Sequence, residues 1–287
     1  MPELPEVETL SLQIDYFLKG LKITDIEILN RKSFLGRVED IKGKRIIGAE
    51  RRAKIIFINL EDGTSLAIHL KLTGQLIYRK QENTKLRDCD EKEGPFAVCK
   101  LPNKFTRVIF SFDNGGRLYF NDLRIFGWIK IVKGRESIAG LAKFGPEAND
   151  EKTFTLNYFK DILSKTKKPI KLVLLDQEKL AGVGNIYANE ALFAAKIMPD
   201  RSASSLTEEE AARLRTAIIK VLNEAIKYKG TSDRDEAYRQ LSGQKGEYQN
   251  YLKIYGKDGQ KCPYCSGRIE KTTLGGRGTY FCRRCQK

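Results

Sequence analysis

The order of apolar and polar positions changes along the chain, from short strand-like runs in the first half to helical spacing in the second. A helix is predicted first, over residues 6–18, because apolar residues recur there at helical spacing and Gly20 is well placed to end it. Short β-type runs follow, separated by turn signals such as Asp62-Gly63. These runs are residues 23–29, 46–52, 55–60, 66–72, 108–112, 118–120 and 128–132. They predict a β-sandwich or barrel with the first helix packed against it.

Helical spacing takes over in the second half of the chain. Residues 154–162 and 170–175 each predict a short helix. The clearest helix is predicted over residues 207–229, where Thr207 and Glu210 form a capping box at its start. A second, helical domain is therefore expected after the strand-rich one.

Three stretches without periodicity predict connections. Residues 81–95 are charged and predict a surface loop, and Cys89 and Cys99, in or beside that stretch, are expected to be unpaired thiols. Residues 134–150 contain a Gly-Pro pair and predict the linker between two domains. The polar stretch 231–249 predicts a mobile loop between the long helix and the cysteine-rich tail.

Charge adds a class of partner to this picture. The chain has 287 residues, with 52 Lys and Arg against 37 Asp and Glu, for a formal net charge of +15. So large an excess favours a polyanionic partner such as nucleic acid, although many basic proteins have no such partner. Because no apolar run approaches the roughly 18 residues needed to cross a bilayer, and the start lacks a secretion signal, a cytoplasmic protein is expected.

The cysteine-rich tail predicts a metal site. Cys262 and Cys265 form one pair and Cys282 and Cys285 another, separated by 16 residues, which fits a four-thiolate zinc ribbon. Such a zinc is structural, because four thiolates leave no open position for catalysis. The glycine-rich turn between the pairs would put Arg277 at its tip, placed to clamp phosphates or, alternatively, only solvated.

The first residues offer a nucleophile. If Met1 is removed, Pro2 becomes a free secondary amine beside Glu3 and one helical turn from Glu6. An α-amine has a pKa of about 7.7–8.0, so it can attack a sugar carbon near neutral pH and form a cationic iminium. The alternative is that Pro2 and Pro5 only set the entry to the helix.

A glycine-containing stretch and two basic residues of the N-terminal half are further candidates for phosphate binding. Gly182 and Gly184 precede a helix that Asn185 can cap, which suits phosphate binding but also describes a common turn. Lys54 precedes a β-run, so its ammonium could reach a phosphate. His69, the only histidine, is as a lone histidine more often packed than functional.

The segment Asp122-Leu-Arg124-Ile-Phe126-Gly127 follows a strand. If the chain stays extended, Arg124 and Phe126 could point the same way, Arg124 as a cationic contact and Phe126 as an aromatic wedge. Taken alone, however, Phe126 is more often a core residue.

Together and in this order, these motifs resemble the bacterial formamidopyrimidine-DNA glycosylase family over essentially the whole chain. The matching stretches are Pro2-Glu3-Leu4-Pro5-Glu6-Val7-Glu8-Thr9, Lys54, His69-Leu70, Asp122-Leu-Arg124-Ile-Phe126-Gly127, Leu175-Asp176-Gln177, Gly182-Val-Gly-Asn-Ile-Tyr187 and Gly276-Arg277-Gly278-Thr279 within the four cysteines. The resemblance implies a bifunctional glycosylase and AP lyase of base excision repair. It would excise oxidised purines, 8-oxoguanine and formamidopyrimidines, from duplex DNA through a proline Schiff base followed by β,δ-elimination.

The resemblance also implies an α+β multidomain fold. A catalytic N-terminal β-sandwich domain with a helix would occupy residues 1–133, and 134–150 would be the linker. A helix–two-turns–helix DNA-binding domain would follow at 151–250, and a zinc-finger hairpin at 251–287. The protein would be a cytoplasmic, nucleoid-associated monomer that binds double-stranded DNA and one structural zinc, without contact to membranes.

Roles for individual residues follow from the same resemblance. Pro2 would attack C1′ of the damaged nucleotide, Glu3 would be the general acid and base, and Glu6 would hold the N-terminal region, with Lys54 in the same catalytic group. The residues that would grip phosphates around the flipped nucleotide are Lys54, His69, Asn185, Tyr255 and Arg277. The residues that would fill the gap left by the flipped base are Leu72, Arg124 and Phe126. The zinc ligands would be Cys262, Cys265, Cys282 and Cys285.

The chain departs from the family pattern in three places. Leu72 stands where the family usually has a methionine, and Tyr280 stands where it usually has a histidine. The stretch 231–249 is spaced unlike the common form around Arg234 and Tyr238, which leaves the lesion range open.

Two alternatives remain. The endonuclease VIII branch of the superfamily prefers oxidised pyrimidines, but it more often has glycine where this chain has Leu4. A zinc-ribbon DNA-binding protein without catalytic activity would explain the charge and the cysteines, but it would not need Pro2 and Glu3.

Overall fold

The structure is a computed structural model that describes residues 2–80, 97–134, 137–138, 140–232 and 238–287. The chain forms two compact units: unit 1 comprises Met1–Ala142 and Tyr228–Gln249, and unit 2 comprises Lys143–Lys227 and Asn250–Lys287. The segment Tyr228–Gln249 therefore packs with unit 1, although it follows the long helix of unit 2. The predicted domain bounds, which follow chain order, stay a prediction.

Unit 1 is a β-sandwich with one long helix, α1 (Leu4–Leu18). Its described strands are β1 (Ile23–Ile28), β2 (Phe34–Leu35), β3 (Ile46–Arg52), β4 (Ile55–Leu60), β5 (Thr64–His69), β6 (Gly74–Arg79), β7 (Thr106–Phe112), β8 (Arg117–Asp122) and β9 (Trp128–Lys133). One sheet has the order β1-β7-β8-β6 and the other β2-β9-β5-β4-β3. Apolar side chains from both sheets and from α1 share one core, which confirms the expected sandwich.

Two strands of this sandwich were not predicted, and one was misplaced. The short β2 has only two residues, and β6 carries buried polar residues, Gln75 and Arg79, that obscure its pattern. The strand predicted at 66–72 is found as β5, Thr64–His69, so Leu72 lies in the turn that follows it rather than in a strand.

Two turns cross between the sheets side by side. In one sheet β5 pairs with β9, with His69 opposite Trp128. In the other sheet β6 pairs with β8, with Gly74 opposite Asp122. The turn at residues 70–73 leads from β5 to β6, and the turn at residues 123–127 leads from β8 to β9. Both turns therefore connect the same two strand pairs at the same end of the sandwich.

Unit 2 contains four α-helices and a hairpin among its described residues. They are α2 (Leu156–Ser164), α3 (Ile170–Leu175), α4 (Asn185–Ala194), α5 (Glu208–Lys227), β10 (Glu270–Leu274) and β11 (Arg277–Phe281). The capping box predicted at the start of α5 is confirmed, because the N–H of Thr207 donates to Glu210 Oε2 at 3.0 Å and the N–H of Glu210 donates to Thr207 Oγ1 at 3.2 Å. Helix α4 packs against both α5 and β11. In the part of the chain that is described, no helix is long and apolar enough to span a membrane.

The stretch predicted as a mobile loop is held in place over residues 238–249. Tyr238 and Leu241 belong to the core of unit 1, and the backbone N–H of Leu241 donates to Gln13 Oε1 at 2.8 Å. The N–H of Tyr78 in turn donates to the carbonyl of Leu241 at 2.8 Å. The expectation of mobility is wrong for this part, because partners distant in sequence bind it. Arg234 lies outside the described residues.

The expectation of a free thiol at Cys99 is also wrong, because Cys99 is disulfide-bonded. That expectation rested on the charge of the neighbouring residues, which does not determine pairing. Cys89 and the surface loop predicted at 81–95 lie outside the described residues.

Candidate active site and nucleic-acid interface

The N-terminal carboxylates form a buried cluster at the start of α1. The helix begins at Leu4 with Pro5 in its first turn, so the helix-entry role fits Pro5, while Pro2 lies buried just before the helix. Glu6 is 0% exposed and uses both carboxylate oxygens. Its Oε2 accepts the backbone N–H of Glu3 and its Oε1 accepts that of Thr231, each at 2.8 Å. Glu6 thereby ties the catalytic candidates to the segment that follows α5.

The chain approaches Glu6 so closely at Gly230 that no side chain fits there. Gly230 has φ +77°, and a Cβ at this position would lie 2.9 Å from Glu6 Cγ and 3.1 Å from the ring of Tyr238. Tyr238 itself is buried, and this burial, with the charge of Glu6, raises the pKa of its phenol well above 10. The cluster therefore has a neutral phenol beside its carboxylates.

Lys54 and His69 lie next to each other because Ile55, the first residue of β4, pairs with His69, the last residue of β5. The backbone N–H of Lys71 donates to Nδ1 of His69 at 2.9 Å. Burial, followed by the charges of Lys71 and Lys54, lowers the pKa of His69 to about 3. The neutral ring therefore carries its proton on Nε2, where it can donate a hydrogen bond. Its ring also lies 5.8 Å from that of Trp128, so the histidine is both packed and able to donate.

The three residues expected to fill the gap in the DNA lie on the two adjacent turns. Leu72 is partly exposed in the turn 70–73, and Arg124 and Phe126 are exposed in the turn 123–127. Phe126 is 57% exposed, so the interpretation of it as a core residue is wrong. The extended chain assumed between Arg124 and Phe126 is also wrong, because Ile125 has a left-handed φ of 57°.

The prediction that Asn185 caps the helix after the glycine loop is wrong. Gly184 is the N-cap of α4 and Asn185 is its first residue. Its Nδ2 donates instead to the carbonyl of Gly278 at 3.1 Å, while its buried Oδ1 has no hydrogen-bond partner among the described residues. Gly182, in the loop before α4, has a left-handed φ of +96°, which suits glycine.

Arg277 is exposed but does not lie at the tip of its turn. Gly275 and Gly276 alone form the two-residue loop, with φ of +58° and +71°. Such a tight hairpin loop needs positive φ at both positions, which glycine adopts without strain. Arg277 is therefore the first residue of β11, paired with Leu274. Its backbone is therefore part of the paired hairpin and not of the loop.

The four tail cysteines form a metal-binding cluster. Their sulfurs all lie within 4.8 Å of one another, and the pairs Cys262–Cys285 and Cys265–Cys282 are each 3.6 Å apart. A tetrahedral zinc with Zn–S bonds of about 2.3 Å would place its sulfurs about 3.8 Å apart. The residues present therefore fit zinc, and the prediction of one structural ion is confirmed.

Comparison with known families accounts for most of the chain. A model described as the formamidopyrimidine-DNA glycosylase N-terminal domain matches residues 1–129, and one described as the H2TH domain of the same enzyme matches 144–236. A zinc-finger model found in FPG and IleRS matches residues 259–287. The chain belongs to the formamidopyrimidine-DNA glycosylase family.

Relatives with this family name match along their whole length. The formamidopyrimidine-DNA glycosylase of Desulforamulus reducens is 40% identical over 296 residues, which cover 100% of this chain and 99% of the relative. A crystal structure of Lactococcus lactis Fpg with abasic-site DNA superposes with a TM-score of 0.84 at 33% identity, covering 99% of each chain. Its complex with Fapy-dG DNA also gives 0.84, at 32% identity, covering 99% of this chain and 100% of the other.

In this member of the family, two buried charged residues that sequence reasoning missed bind the zinc hairpin and the segment 253–255 before it. Lys171 is fully buried, and its Nζ donates to the carbonyl of Gly278 at 2.8 Å and to Thr279 Oγ1 at 2.7 Å. Glu190 accepts the backbone N–H groups of three consecutive residues, Lys253, Ile254 and Tyr255, at 2.8–3.0 Å.

Burial raises the pKa of Glu190, while those three donors oppose the rise. Tyr255 is thereby placed with its ring 5.1 Å from that of Tyr280, edge to face. The signal that could have revealed Lys171 and Glu190 is a lone charge within an apolar helical run, since such a charge is buried only with partners.

Proposed function

We propose that this protein is a bifunctional DNA glycosylase and AP lyase that removes oxidised purines from duplex DNA, with Pro2 as its nucleophile. The observation that carries this proposal is the buried Pro2-Glu3 start of α1, tied through Glu6 to Thr231, in a chain that matches the family over its full length. A packed, hydrogen-bonded site can hold a nucleophile and a proton carrier in fixed positions, as covalent catalysis requires.

The chemistry follows from a secondary amine. Removal of Met1 converts the Pro2 amide nitrogen into an amine, whose lone pair attacks C1′ of the damaged nucleotide while the bond from C1′ to the base breaks. The nitrogen then loses its proton, and the base leaves with a proton. When the sugar ring opens, O4′ takes a proton and the nitrogen becomes a cationic iminium. That cation acidifies the C2′–H, so a base can remove this proton and expel the 3′ phosphate, and a second elimination expels the 5′ phosphate. Glu3 carries these protons as general acid and base.

Two groups of side chains are proposed to contact the DNA. Lys54, His69, Asn185, Tyr255 and Arg277 are the proposed phosphate contacts. Among them His69 would donate from a neutral ring, because the pKa of about 3 keeps it uncharged at neutral pH. Leu72, Arg124 and Phe126 are the proposed wedge, exposed or partly exposed on adjacent turns. Leucine and methionine have similar volumes, so the family's usual methionine can be replaced here at little cost.

Zinc has a structural part in this mechanism. Bound by the four thiolates, it fixes the base of the hairpin β10–β11, whose second strand starts at Arg277. We further propose that the protein acts as a monomer in the cytoplasm, associated with the nucleoid, where its net charge of +15 favours DNA.

A paired-substrate assay tests the lesion class. One duplex carries 8-oxoguanine opposite cytosine and the other carries thymine glycol, and excision is measured for the wild type and for Glu3→Gln. We expect faster excision of 8-oxoguanine by the wild type, and a Glu3→Gln protein that binds DNA but excises neither base. Preference for thymine glycol would support the endonuclease VIII alternative, and binding without excision by the wild type would support the non-catalytic one.

A further inference from the structure

A buried carboxylate lies where the two crossing turns meet. Asp122 is the last residue of β8 and is 0% exposed. Its Oδ1 accepts the hydroxyl of Thr73 and the backbone N–H of Arg124, the latter at 3.2 Å. Its Oδ2 accepts the backbone N–H of Gly127 at 2.7 Å. One side chain thus binds both ends of its own turn and the neighbouring turn.

Thr73 completes the link from the other side. It is buried, and it directly follows Leu72 in the turn 70–73. Besides donating to Asp122, its hydroxyl accepts the backbone N–H of Arg124 at 3.1 Å. The turn that carries Leu72 and the turn that carries Arg124 are therefore joined by a closed set of hydrogen bonds among buried groups.

The backbone of both turns needs such support. Lys71 and Ile125, which lie beside the wedge residues, have φ of 52° and 57°, a left-handed conformation that side chains with a Cβ rarely adopt. Gly127 closes the second turn so tightly that a Cβ there would lie 2.9 Å from the ring of Phe120 and 3.1 Å from Asp122 Oδ2. Conformations of this kind persist where the surroundings determine them.

We propose that Asp122, together with Thr73, is a positioning residue that holds the turns 70–73 and 123–127 in one arrangement, so that Leu72, Arg124 and Phe126 enter the duplex as a unit. The proposal rests on the proposed wedge function of those three residues. A carboxylate is costly to bury, and core packing alone would be served by an apolar residue, so its hydrogen bonds to both turns account for its presence.

The proposal predicts a selective defect. A paired lesion must be unstacked before it is excised, whereas an abasic site has no base to unstack. Loosening the two turns should therefore slow excision from a paired duplex while leaving the covalent step at an abasic site intact.

The experiment uses the full-length, zinc-loaded protein and three variants. Thr73→Val removes the hydroxyl and keeps the shape, Thr73→Ser keeps the hydroxyl, and Asp122→Asn removes the charge and one acceptor. Each is assayed for single-turnover excision of 8-oxoguanine opposite cytosine and for borohydride trapping on an abasic duplex. Loss of a hydrogen bond to a charged group predicts about a tenfold or greater drop in excision for Thr73→Val and Asp122→Asn. Trapping should stay within about twofold of wild type, because its reacting groups are untouched, and Thr73→Ser should behave as wild type.

Leu72→Ala and Phe126→Ala serve as reference variants that remove the wedge itself. If they lose excision while Thr73→Val and Asp122→Asn do not, the positioning proposal is overturned and the wedge function stands. If the reference variants excise like wild type, the wedge function fails and the positioning proposal with it. Equal loss of excision and trapping in Thr73→Val would also overturn the proposal, since it would indicate general damage to the fold. Should Asp122→Asn fail to fold, the Thr73→Val and Thr73→Ser pair decides.

Discussion

At the scale of single residues, buried charged groups are held by the backbone. Glu6 and Glu190 accept backbone N–H groups, and Lys171 donates to the carbonyl of Gly278. A buried charge without such partners would cost several kcal/mol. Each of these residues therefore fixes a segment that carries a proposed catalytic or DNA-binding group.

His69 gives a prediction about pH. Because its pKa is lowered to about 3 in the folded protein, while an unfolded histidine has a pKa of about 6.5, the unfolded chain binds more protons between these values. The stabilising effect of the neutral ring is complete above pH 6.5 and is lost as the pH falls, by at most about 1.4 kcal/mol per pH unit. His69→Asn should lack this part of the pH dependence of unfolding. Since His69 is the only histidine, its ring resonance in NMR reports directly, and a titration midpoint near 6.5 would contradict the prediction.

Arg277 gives a prediction about affinity. If its guanidinium grips phosphate, Arg277→Ala removes a charge-assisted contact of roughly 1.5–3 kcal/mol, or about a tenfold to hundredfold loss of affinity for abasic duplex. The slope of log affinity against log salt should also flatten by about one phosphate contact. Zinc content and melting temperature should stay unchanged, since the side chain is exposed. Lys271→Ala, an exposed cation on the paired strand, is the matched control, and an equal loss there would assign the effect to charge alone.

At the scale of elements, the sequence predicts what local pattern determines. Strands β3 and β4 have the bounds that the sequence predicts, and the Asp62-Gly63 turn signal follows the end of β4. Strand β6 escaped prediction because its buried Arg79 is bound by the carbonyls of Val98 and Ser242, which are distant in sequence. The strand position of Arg277 and the burial of Tyr238 could not be predicted for the same kind of reason. Hairpin register and core burial depend on partners that no local pattern contains.

The zinc hairpin gives a prediction at this scale. Metal analysis should return one zinc per chain, and Cys282→Ser should lower this value and weaken DNA binding, because metal affinity contributes directly to folding of the hairpin. The core of unit 1 contains none of these cysteines, so hydrogen exchange in α1 should be unchanged. Full zinc content in Cys282→Ser would contradict the assigned ligand set.

The turn that carries Leu72 gives a second prediction at the scale of elements. Leu72→Ala should lower base flipping, followed with a fluorescent base beside the lesion, more than it lowers overall affinity, because a wedge acts only on the opened duplex. Leu72→Met restores the family's usual residue with little change in volume and should flip bases like wild type. Equal losses of flipping and affinity in Leu72→Ala would indicate an ordinary packing role.

At the scale of the whole molecule, each unit carries a part of the proposed activity. Unit 1 contains the Pro2-Glu3 site, the two turns and the segment that Glu6 holds, and unit 2 contains α4 and the zinc hairpin. The net charge of +15 supplies a sequence-independent attraction to DNA that weakens as salt rises. Affinity for DNA can therefore be measured separately from catalysis, and catalysis is the more specific property of the two.

The most direct test of Pro2 as the nucleophile is borohydride trapping on a duplex with 8-oxoguanine opposite cytosine, followed by mass mapping of the adduct. We expect one protein–DNA adduct, on an N-terminal peptide that has lost Met1 and carries the DNA on Pro2. Pro2→Gly retains an α-amine but loses the secondary one, so it should trap far less. An adduct that maps to a lysine, or a Pro2→Gly protein with undiminished excision and trapping, would contradict the assignment of Pro2 as the nucleophile.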